Sequence, residues 1–385
     1  MGRDVAANGF TIVIGLLIAV AVLAGWARNQ VVGAGPLDDA IFFDVASGAT
    51  LEQVSNDLQE AGAVSSGTLF RLNARYQDRA QDLRFGTYEI PASATMDDIL
   101  DIVTSGAASV VRYQATYVLR NAGTGELRLR ERVPGTGEIV ELANFAYEEG
   151  VPGIYTDLVA QGGVNYRVSV PEGLTSWQIV EGLNQADFLA GDVPDLPAEG
   201  TLSPDTYDVS RGMERSELLA RMAEAQDATL AAAWENRATD LPIETPQEAL
   251  VLASIIEKET GIASERGLVA SVFVNRLNIG MRLQTDPTVI YGVTEGRGVL
   301  GRGLRQSELD TVTPWNTYQI DGLPPTPIAN PGQAAIEAAL NPDESEFVFF
   351  VADGTGGHAF AVTLAEHNEN VARWRQIEAE RGDGG

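Results

Sequence analysis

One segment in the second half of the chain constrains the fold more than any other. Residues 245–248, Thr-Pro-Gln-Glu, form a capping box with proline at the first helical position, which predicts the start of a helix. The eight residues that follow, 249–256, place apolar side chains or small residues on every face of that helix. A helix of this kind must be surrounded by protein, so we expect it at the centre of a mainly helical domain. Gly261 is the predicted stop.

The end of this helix carries Glu257, Lys258 and Glu259. Burial raises the pKa of a carboxyl group, and the negative end of the helix dipole disfavours an anion there. A carboxyl group that stays protonated near neutral pH is what a general acid requires. The ordinary alternative is a solvated or arginine-paired carboxylate, and helical spacing does not choose between Glu257 and Glu259. Lys258 points away from both glutamates and is expected at the surface.

Composition excludes several classes of function. The formal net charge of −28 repels phosphate backbones, so nucleic-acid binding is not expected. The chain has no cysteine, which removes thiolate catalysis and cysteine-type zinc sites. The two histidines, His358 and His367, are too few for a histidine-rich metal site.

The N-terminal stretch 5–27 contains no charged residue. About 23 helical residues span about 35 Å, enough to cross the hydrocarbon core of a bilayer. This predicts a single transmembrane anchor, and the alternative is a cleaved signal peptide. The short tail before the span favours an exported C-terminal part, although flanking charges alone do not settle the orientation.

A strand–turn–helix pattern occurs three times between the anchor and the central helix, with helices that begin after Thr50, Thr95 and Thr175. Such units cannot bury their own faces, so they are expected to pack together or on a sheet, unless the similarity arose by chance. Residues 82–91 resemble the closing strand of LysM modules, which bind N-acetylglucosamine polymers. Residues 117–130 alternate apolar and polar side chains around a glycine-containing turn, which predicts a β-hairpin.

Residues 252–260, Leu-Ala-Ser-Ile-Ile-Glu-Lys-Glu-Thr, resemble the signature of the endolytic murein transglycosylases, the MltG or YceG-like family. Further matching blocks cover nearly half of the chain between residues 203 and 373: 203–207, 272–277, 280–292, 316–318, 322–325, 328–332 and 350–360. Residues 107–163 depart from the family pattern, which has little between the LysM-like part and the second strand–helix unit. That departure leaves partner contacts in doubt, but not the chemistry.

The resemblance implies the reaction. Glu257 would be the acid/base that cleaves the β-1,4 bond between N-acetylmuramic acid and N-acetylglucosamine in peptidoglycan, giving 1,6-anhydromuramyl ends. No metal or organic cofactor is implied. The enzyme would be anchored in the bacterial inner membrane by a single pass, with its catalytic domain on the periplasmic side. Penicillin-binding proteins would be partners.

The predicted fold class is α+β. We expect a tail and transmembrane anchor (1–28), a linker (29–39), a LysM-like α/β module (40–106), an inserted β-rich subdomain (107–165), a second strand–helix unit (166–200) and a mainly helical catalytic domain with a small β-hairpin sheet (201–380).

The other matched polar residues are candidates for substrate binding: Gln284, Asp286, Asn316, Tyr318 and His358. Alternatives stay open for several of them. Asp286, which precedes Pro287, has the pattern of a helix N-cap. His358 would orient Glu257, bind substrate, or bond only to backbone in its loop. Structural roles are expected for Glu265, Asn330 and His367. Trp315 would either stack on a sugar ring or pack beneath it.

Two rival functions remain at this point. A muramidase would hydrolyse the same bond with Glu257 as acid and Asp286 or Glu259 as the second carboxylate, since hydrolysis needs two. A non-catalytic scaffold would bind peptidoglycan through the LysM-like part.

Overall fold

The fold is described from a computed structural model, which covers residues 2–104 and 109–382, with side chains from residue 13 to residue 380 in those ranges. The chain divides into two compact units, each described here by itself. Unit 1 comprises Met1–Gln114, Leu129–Leu142 and Asp157–Val164, and unit 2 comprises Ala115–Arg128, Ala143–Thr156 and Asn165–Gly385. The boundary predicted at residues 106–107 lies outside the described residues.

Unit 1 contains the N-terminal helix and a small α/β module that follows it. Its strands pair antiparallel, with Ile41 opposite Ile90. Its core consists of buried apolar side chains such as Phe43, Leu58 and Phe70. Its helices and principal strands are α1 (Gly2–Val32), β1 (Ile41–Val45), α2 (Leu51–Glu60), α3 (Gly67–Tyr76), β2 (Gly86–Ile90) and α4 (Met96–Thr104).

The N-terminal helix is longer than the sequence pattern predicted. Its segment Val13–Val32 is apolar and long enough to cross a membrane, judged by length and composition within the described residues. The helix continues to Val32, so the first part of the predicted linker is helical. Gln30 accepts a hydrogen bond from the hydroxyl of Ser65 at 2.7 Å, so the end of α1 is attached to unit 1.

The predicted hairpin is confirmed as two strands of a larger sheet. The five-stranded sheet has the order β5-β4-β3-β6-β8. Its strands come from three predicted regions, the inserted subdomain (107–165), the second strand–helix unit (166–200) and the catalytic domain (201–380). The hairpin is therefore not a separate subdomain. The elements of this part of the chain are β3 (Tyr113–Leu119), β4 (Gly125–Arg132), β5 (Ile139–Ala146), α5 (Gly153–Gln161), β6 (Val164–Ser169), α6 (Ser176–Gln185), β7 (Leu189–Ala190), β8 (Thr206–Val209) and β9 (Met213–Glu214).

The threefold strand–turn–helix pattern is confirmed. In each copy, the turn contains one residue in the left-handed region: Gly48 (φ 78°), Ser93 (φ 56°) and Gly173 (φ 78°). A threonine then accepts a hydrogen bond from the backbone N–H three residues later and begins the helix, at Thr50, Thr95 and Thr175. The shared turn conformation shows that the three copies are alike in backbone as well as in sequence.

The rest of unit 2 is mainly helical, as predicted, and is built around the apolar helix. Residues 249–256 of that helix are at most 3% exposed. Full burial of each large aliphatic side chain contributes about 2 kcal/mol to stability. The elements are α7 (Arg215–Glu235), α8 (Pro246–Glu259), α9 (Arg266–Asn278), α10 (Asp286–Thr294), α11 (Gln306–Asp310), α12 (Gln333–Leu340), β10 (Phe349–Ala352), β11 (His358–Ala361) and α13 (Leu364–Gly382). The small hairpin sheet predicted for the catalytic domain is formed by β10 and β11, which pair antiparallel. The mixture of helices and sheets confirms the predicted α+β class.

Candidate active site

The central helix α8 begins as predicted and ends slightly earlier. The hydroxyl of Thr245 accepts a hydrogen bond from the N–H of Glu248, and the carboxylate of Glu248 accepts one from the N–H of Thr245, both at 3.2 Å. The last helical residue is Glu259, and Thr260 follows in an extended conformation. The helix is therefore ended by Thr260, not by the predicted Gly261. Its last turn carries three charged side chains out of the core.

Glu257 is half-buried at this helix end. Burial raises the pKa of its carboxyl group, and the nearby carboxylate of Glu172 raises it further. The N–H of Gly332 donates to Oε2 at 3.1 Å and lowers the pKa, as do the charges of Arg266 and Lys258. The net direction is upward. A raised pKa favours the protonated form that a general acid needs, and a backbone N–H is in place to stabilise the carboxylate once the proton has left.

The loop that presents Gly332 is fixed by its neighbour Asn330. The side chain of Asn330 is fully buried; its Oδ1 accepts from Leu202 N at 2.9 Å, and its Nδ2 donates to Leu174 O at 3.0 Å. Its backbone N–H also donates to Leu174 O, at 2.8 Å, and its carbonyl accepts from Gly173 N at 3.0 Å. The loop containing Gly332 and the turn containing Gly173 are thus bonded into one rigid layer beside Glu257.

Lys258 is tied to the same turn. Its ammonium donates to the carbonyl of Gly173 at 3.1 Å. More than a third of the residue remains exposed. Burial of the ammonium nevertheless lowers its pKa, while the charges of Glu257 and Glu199 raise it by a smaller amount. Lys258 is exposed, as predicted, but its ammonium does not point into solvent, because it bonds to the turn at Gly173.

Glu259 belongs to a second group of residues, here called the Glu259 cluster: Glu259, Thr285, Asp286, Tyr318 and His358. The hydroxyl of Thr285 donates to Oε1 of Glu259. Burial raises the pKa of Glu259, with a smaller contribution from the charge of Asp286, while the hydrogen bond from Thr285 and the charges of His358 and Arg276 lower it. The hydroxyl of Tyr318 donates to Oδ1 of Asp286 at 2.7 Å. The structure thus brings three of the predicted substrate-binding residues together around Glu259.

The expectation that Asp286 caps a helix is off by one residue. Helix α10 begins at Asp286, with Thr285 at the N-cap position. Thr285 has the extended backbone of a cap residue (φ −123°), while its hydroxyl bonds to Glu259 instead of to the helix. The carboxylate of Asp286 is left exposed except for its bond from Tyr318.

His358 is paired with Glu265. Its Nδ1 lies 2.8 Å from Oε2 of Glu265, and its backbone N–H donates to Oε1 at 3.0 Å. Glu265 occupies the N-cap position of α9 without a side-chain capping bond. This side-chain pair excludes the alternative in which His358 bonds only to backbone, and a position near Glu259, whose pKa the charge of His358 lowers, was not among the alternatives. The structural role expected for Glu265 takes the form of this pair.

The other sequence candidates take different positions. Gln284 is exposed and holds a left-handed backbone conformation (φ 47°), which is unusual for a residue other than glycine. Asn316 is fully buried, and its amide donates to backbone carbonyls at the end of α11, those of Glu308, Leu309 and Thr311. Trp315 packs against the core of unit 2 and donates from Nε1 to Thr326. His367 stacks on Phe349, in keeping with a structural role.

Two cavities occur in the helical part of unit 2. A cavity of about 740 Å³ lies among α7, α9 and α12, and it is lined in part by Arg266 and Gln333. A second, of about 330 Å³, is lined by Lys258, Thr175 and Tyr291 together with glycines of the loop 296–301. Both volumes are in the range of small-ligand sites. No group of three or more acidic or histidine side chains suited to a metal occurs among the described residues.

Comparison with known proteins identifies the family. A model of the family described as YceG-like matches residues 43–125 and 145–373. The chain belongs to the YceG-like family. Within this YceG-like chain, both Glu257 and the Glu259 cluster fall inside the matched residues. The unmatched internal stretch, 126–144, is narrower than the departure predicted at 107–163, because most of the predicted insertion is matched.

Curated relatives of this YceG-like chain carry an enzyme name. The endolytic murein transglycosylase of Streptococcus pneumoniae is 28% identical over 354 residues, covering 85% of this chain and 57% of the relative. That of Bacillus subtilis is 25% identical over 327 residues, covering 85% of this chain and 82% of the relative. This chain therefore spans little more than half the length of the S. pneumoniae protein. A solved YceG-like structure from Listeria monocytogenes is 23% identical with a TM-score of 0.46, covering 86% of this chain and 98% of that one.

Two carboxyl groups of this YceG-like chain were missed by the sequence analysis. Glu172 lies close enough to Glu257 to raise its pKa. Burial raises the pKa of Glu199 to about 7. Glu199 accepts hydrogen bonds from Ser176 N at 2.8 Å and from Asn330 Nδ2 at 3.3 Å. Both are far along the chain from Glu257, so only the fold reveals their proximity. The threefold repeat was the one available signal for Glu172.

Proposed function

We propose that this chain is a membrane-anchored lytic transglycosylase that cleaves peptidoglycan glycan strands internally, with Glu257 as its acid/base. The family membership and the names of the curated relatives support the reaction class. The observation that carries the assignment to Glu257 is its position: a half-buried carboxyl group with a raised pKa, beside a fixed backbone N–H and directly before Lys258, which lines a cavity of about 330 Å³.

One carboxyl group is sufficient for this reaction. Glu257 protonates the leaving oxygen of N-acetylglucosamine as its bond to C1 of N-acetylmuramic acid breaks. The resulting carboxylate, which accepts a hydrogen bond from Gly332, then takes the proton of the C6 hydroxyl as that oxygen attacks C1. The product is a 1,6-anhydromuramyl end. Because the nucleophile belongs to the substrate, its effective concentration is high and no bound water is needed.

The remaining sequence candidates are proposed as contacts to sugars away from the cleaved bond. Gln284 and Asp286 are exposed. Tyr318, which bonds to Asp286, and His358 belong to the same Glu259 cluster as Asp286. Hydroxyl, amide and carboxylate groups of this kind bond to sugar hydroxyls. Asn316 has no exposed surface in this structure and does not enter the proposal.

The location follows from the N-terminal helix. We propose that Val13–Val32 anchors the chain in the bacterial inner membrane and that the residues after this helix lie on the periplasmic side, where peptidoglycan is assembled. Contact with penicillin-binding proteins is part of the same proposal, and it rests on family resemblance alone. A LysM-like role for unit 1 in binding glycan is likewise proposed.

The rival hydrolase would need a second carboxylate near Glu257. Glu259 and Asp286 were predicted for that role, but each carboxylate already accepts a hydrogen bond, from Thr285 and from Tyr318 respectively. Glu172 is the carboxylate that acts on Glu257. The hydrolase therefore stays open only through Glu172, and product analysis decides between the two reactions.

The residue assignment is tested with Glu257→Gln, which keeps the shape of the side chain and removes its acid. The full-length protein, in detergent, is incubated with purified peptidoglycan, and released fragments are quantified by mass spectrometry. We expect a loss of cleavage of about 100-fold or more, with glycan binding retained. The matched control is Glu224→Gln, an exposed carboxylate on α7. Cleavage by Glu257→Gln at the control rate would refute the assignment, and absence of cleavage by wild type would favour the binding scaffold.

A further inference from the structure

Glu172 lies in the turn of the second strand–turn–helix copy. It follows β6, precedes the left-handed Gly173, and is exposed. The turn is held in place by the bond from Gly173 N to Asn330 O at 3.0 Å and by the bond from Lys258 to Gly173 O at 3.1 Å. The backbone that carries Glu172 is thus fixed relative to the end of α8.

The carboxylate of Glu172 rests against the glycine that bonds to Glu257. A Cβ atom added to Gly332 would lie 1.8 Å from Oε1 of Glu172, so only the missing side chain of Gly332 makes room for that oxygen. The N–H of the same glycine donates to Oε2 of Glu257 at 3.1 Å. With standard backbone bond lengths, these two contacts place the two carboxylate oxygens at most about 8 Å apart. The two carboxylates therefore lie close to each other, both against Gly332.

The turn itself does not require a carboxylate at this position. The three copies share the left-handed turn residue, and the residue before it is Ser47 in the first copy, Ala92 in the third and Glu172 in the second. Each of these turns leads into a helix begun by threonine. The carboxylate is thus present in the one copy that adjoins Glu257, which indicates a role in the site and not in the turn.

We propose that Glu172 is a second catalytic residue of the transglycosylase, whose carboxylate faces the anomeric carbon and stabilises the positive charge that develops there. This inference rests on the proposed function. As the C1–O4 bond breaks, its electron pair stays on O4, which takes the proton from Glu257, and the positive charge is shared by C1 and the ring oxygen. Glu172 forms no bond. The C6 oxygen then forms the bond to C1, and its proton passes to Glu257.

A second consequence concerns the protonation of Glu257. The groups that act on it are Glu172, which raises its pKa, and Gly332 N–H, Arg266 and Lys258, which lower it. Removing the charge of Glu172 therefore lowers the pKa of Glu257, so the acid form is lost at a lower pH. A residue that only stabilised the turn would not produce this shift.

The test compares Glu172→Gln and Glu172→Asp with wild type and with the exposed control Glu224→Gln, using the full-length protein on purified peptidoglycan. We expect kcat for Glu172→Gln to fall by about 100- to 1,000-fold, the size of effect produced by removing one electrostatic partner of a transition state. The alkaline limb of its pH–rate profile should move to lower pH, and Glu172→Asp should recover part of the rate. Wild-type turnover with an unmoved alkaline limb would overturn the inference.

The products separate failure of this inference from failure of the proposed function. If wild type gives 1,6-anhydro ends and Glu172→Gln is unaffected, only the role of Glu172 is refuted. Reducing ends from wild type would overturn the proposed function and, with it, a purely electrostatic role for Glu172.

Discussion

Replacement of Asn330 by alanine tests whether the layer beside Glu257 is held as described. The side chain of Asn330 is fully buried, and its Oδ1 is the acceptor for the N–H of Leu202, which is also buried. Leu174 O keeps a second donor, the backbone N–H of Asn330, whereas Leu202 N–H is left without its acceptor. Leaving one buried donor unsatisfied costs about 1 to 3 kcal/mol, and the lost bond to Glu199 adds about 1 kcal/mol.

The expected total for Asn330→Ala is therefore about 3 kcal/mol. For a unit of this size, that corresponds to a fall in Tm of roughly 6 to 12 °C. The assay is thermal unfolding of the detergent-solubilised chain followed by tryptophan fluorescence. This signal reports mainly on unit 2, because four of the five tryptophans lie there: Trp177, Trp234, Trp315 and Trp374.

The control for this prediction is Asn341→Ala, at an exposed residue just after α12. It should change stability by less than about 0.5 kcal/mol. If Asn330→Ala unfolds within about 2 °C of wild type, the bonding of this layer does not contribute to stability as argued, and the fixed position of Gly332 beside Glu257 loses its support.

Two further predictions concern charged groups around the site. Burial raises the pKa of Glu199 from 4.5 to about 7, so the folded protein holds a proton there that the unfolded chain releases. Stability is then full below the unfolded pKa and falls by about 3 kcal/mol as pH rises through 7, and Glu199→Gln should lack this fall in unfolding experiments between pH 4.5 and 8. Lys258→Met removes a charge that lowers the pKa of Glu257, so the alkaline limb of the pH–rate profile should move to higher pH; a shift to lower pH would contradict the electrostatic assignment.

Local patterns predicted much of the fold. The capping box at Thr245, the apolar run after it and the threonine-started repeats each depend on residues within a few positions of one another, and all are present in the structure. The extent of the five-stranded sheet was not predicted, because strand order depends on pairing between distant segments. The single-residue error at Asp286 arose because Thr285 also has a cap residue's backbone, which the sequence pattern did not distinguish.

The site was predicted in part. Glu257 was selected by family resemblance, since helical spacing did not separate it from Glu259. The structure separates the two by their partners: Gly332 and Glu172 for the first, and Thr285 for the second. Glu172 and Glu199 escaped notice because their relation to α8 is entirely tertiary. Aligning the three repeat copies would have singled out Glu172, since Ser47 and Ala92 occupy its position in the others.

The central claim is that a single carboxyl group, Glu257, cleaves the glycan without water. The most direct measurement is mass spectrometry of fragments released by the wild-type chain in water enriched with heavy oxygen. We expect 1,6-anhydromuramyl ends that carry no heavy oxygen. Reducing ends labelled with heavy oxygen would mean that water attacks C1, which would contradict cleavage by Glu257 without water.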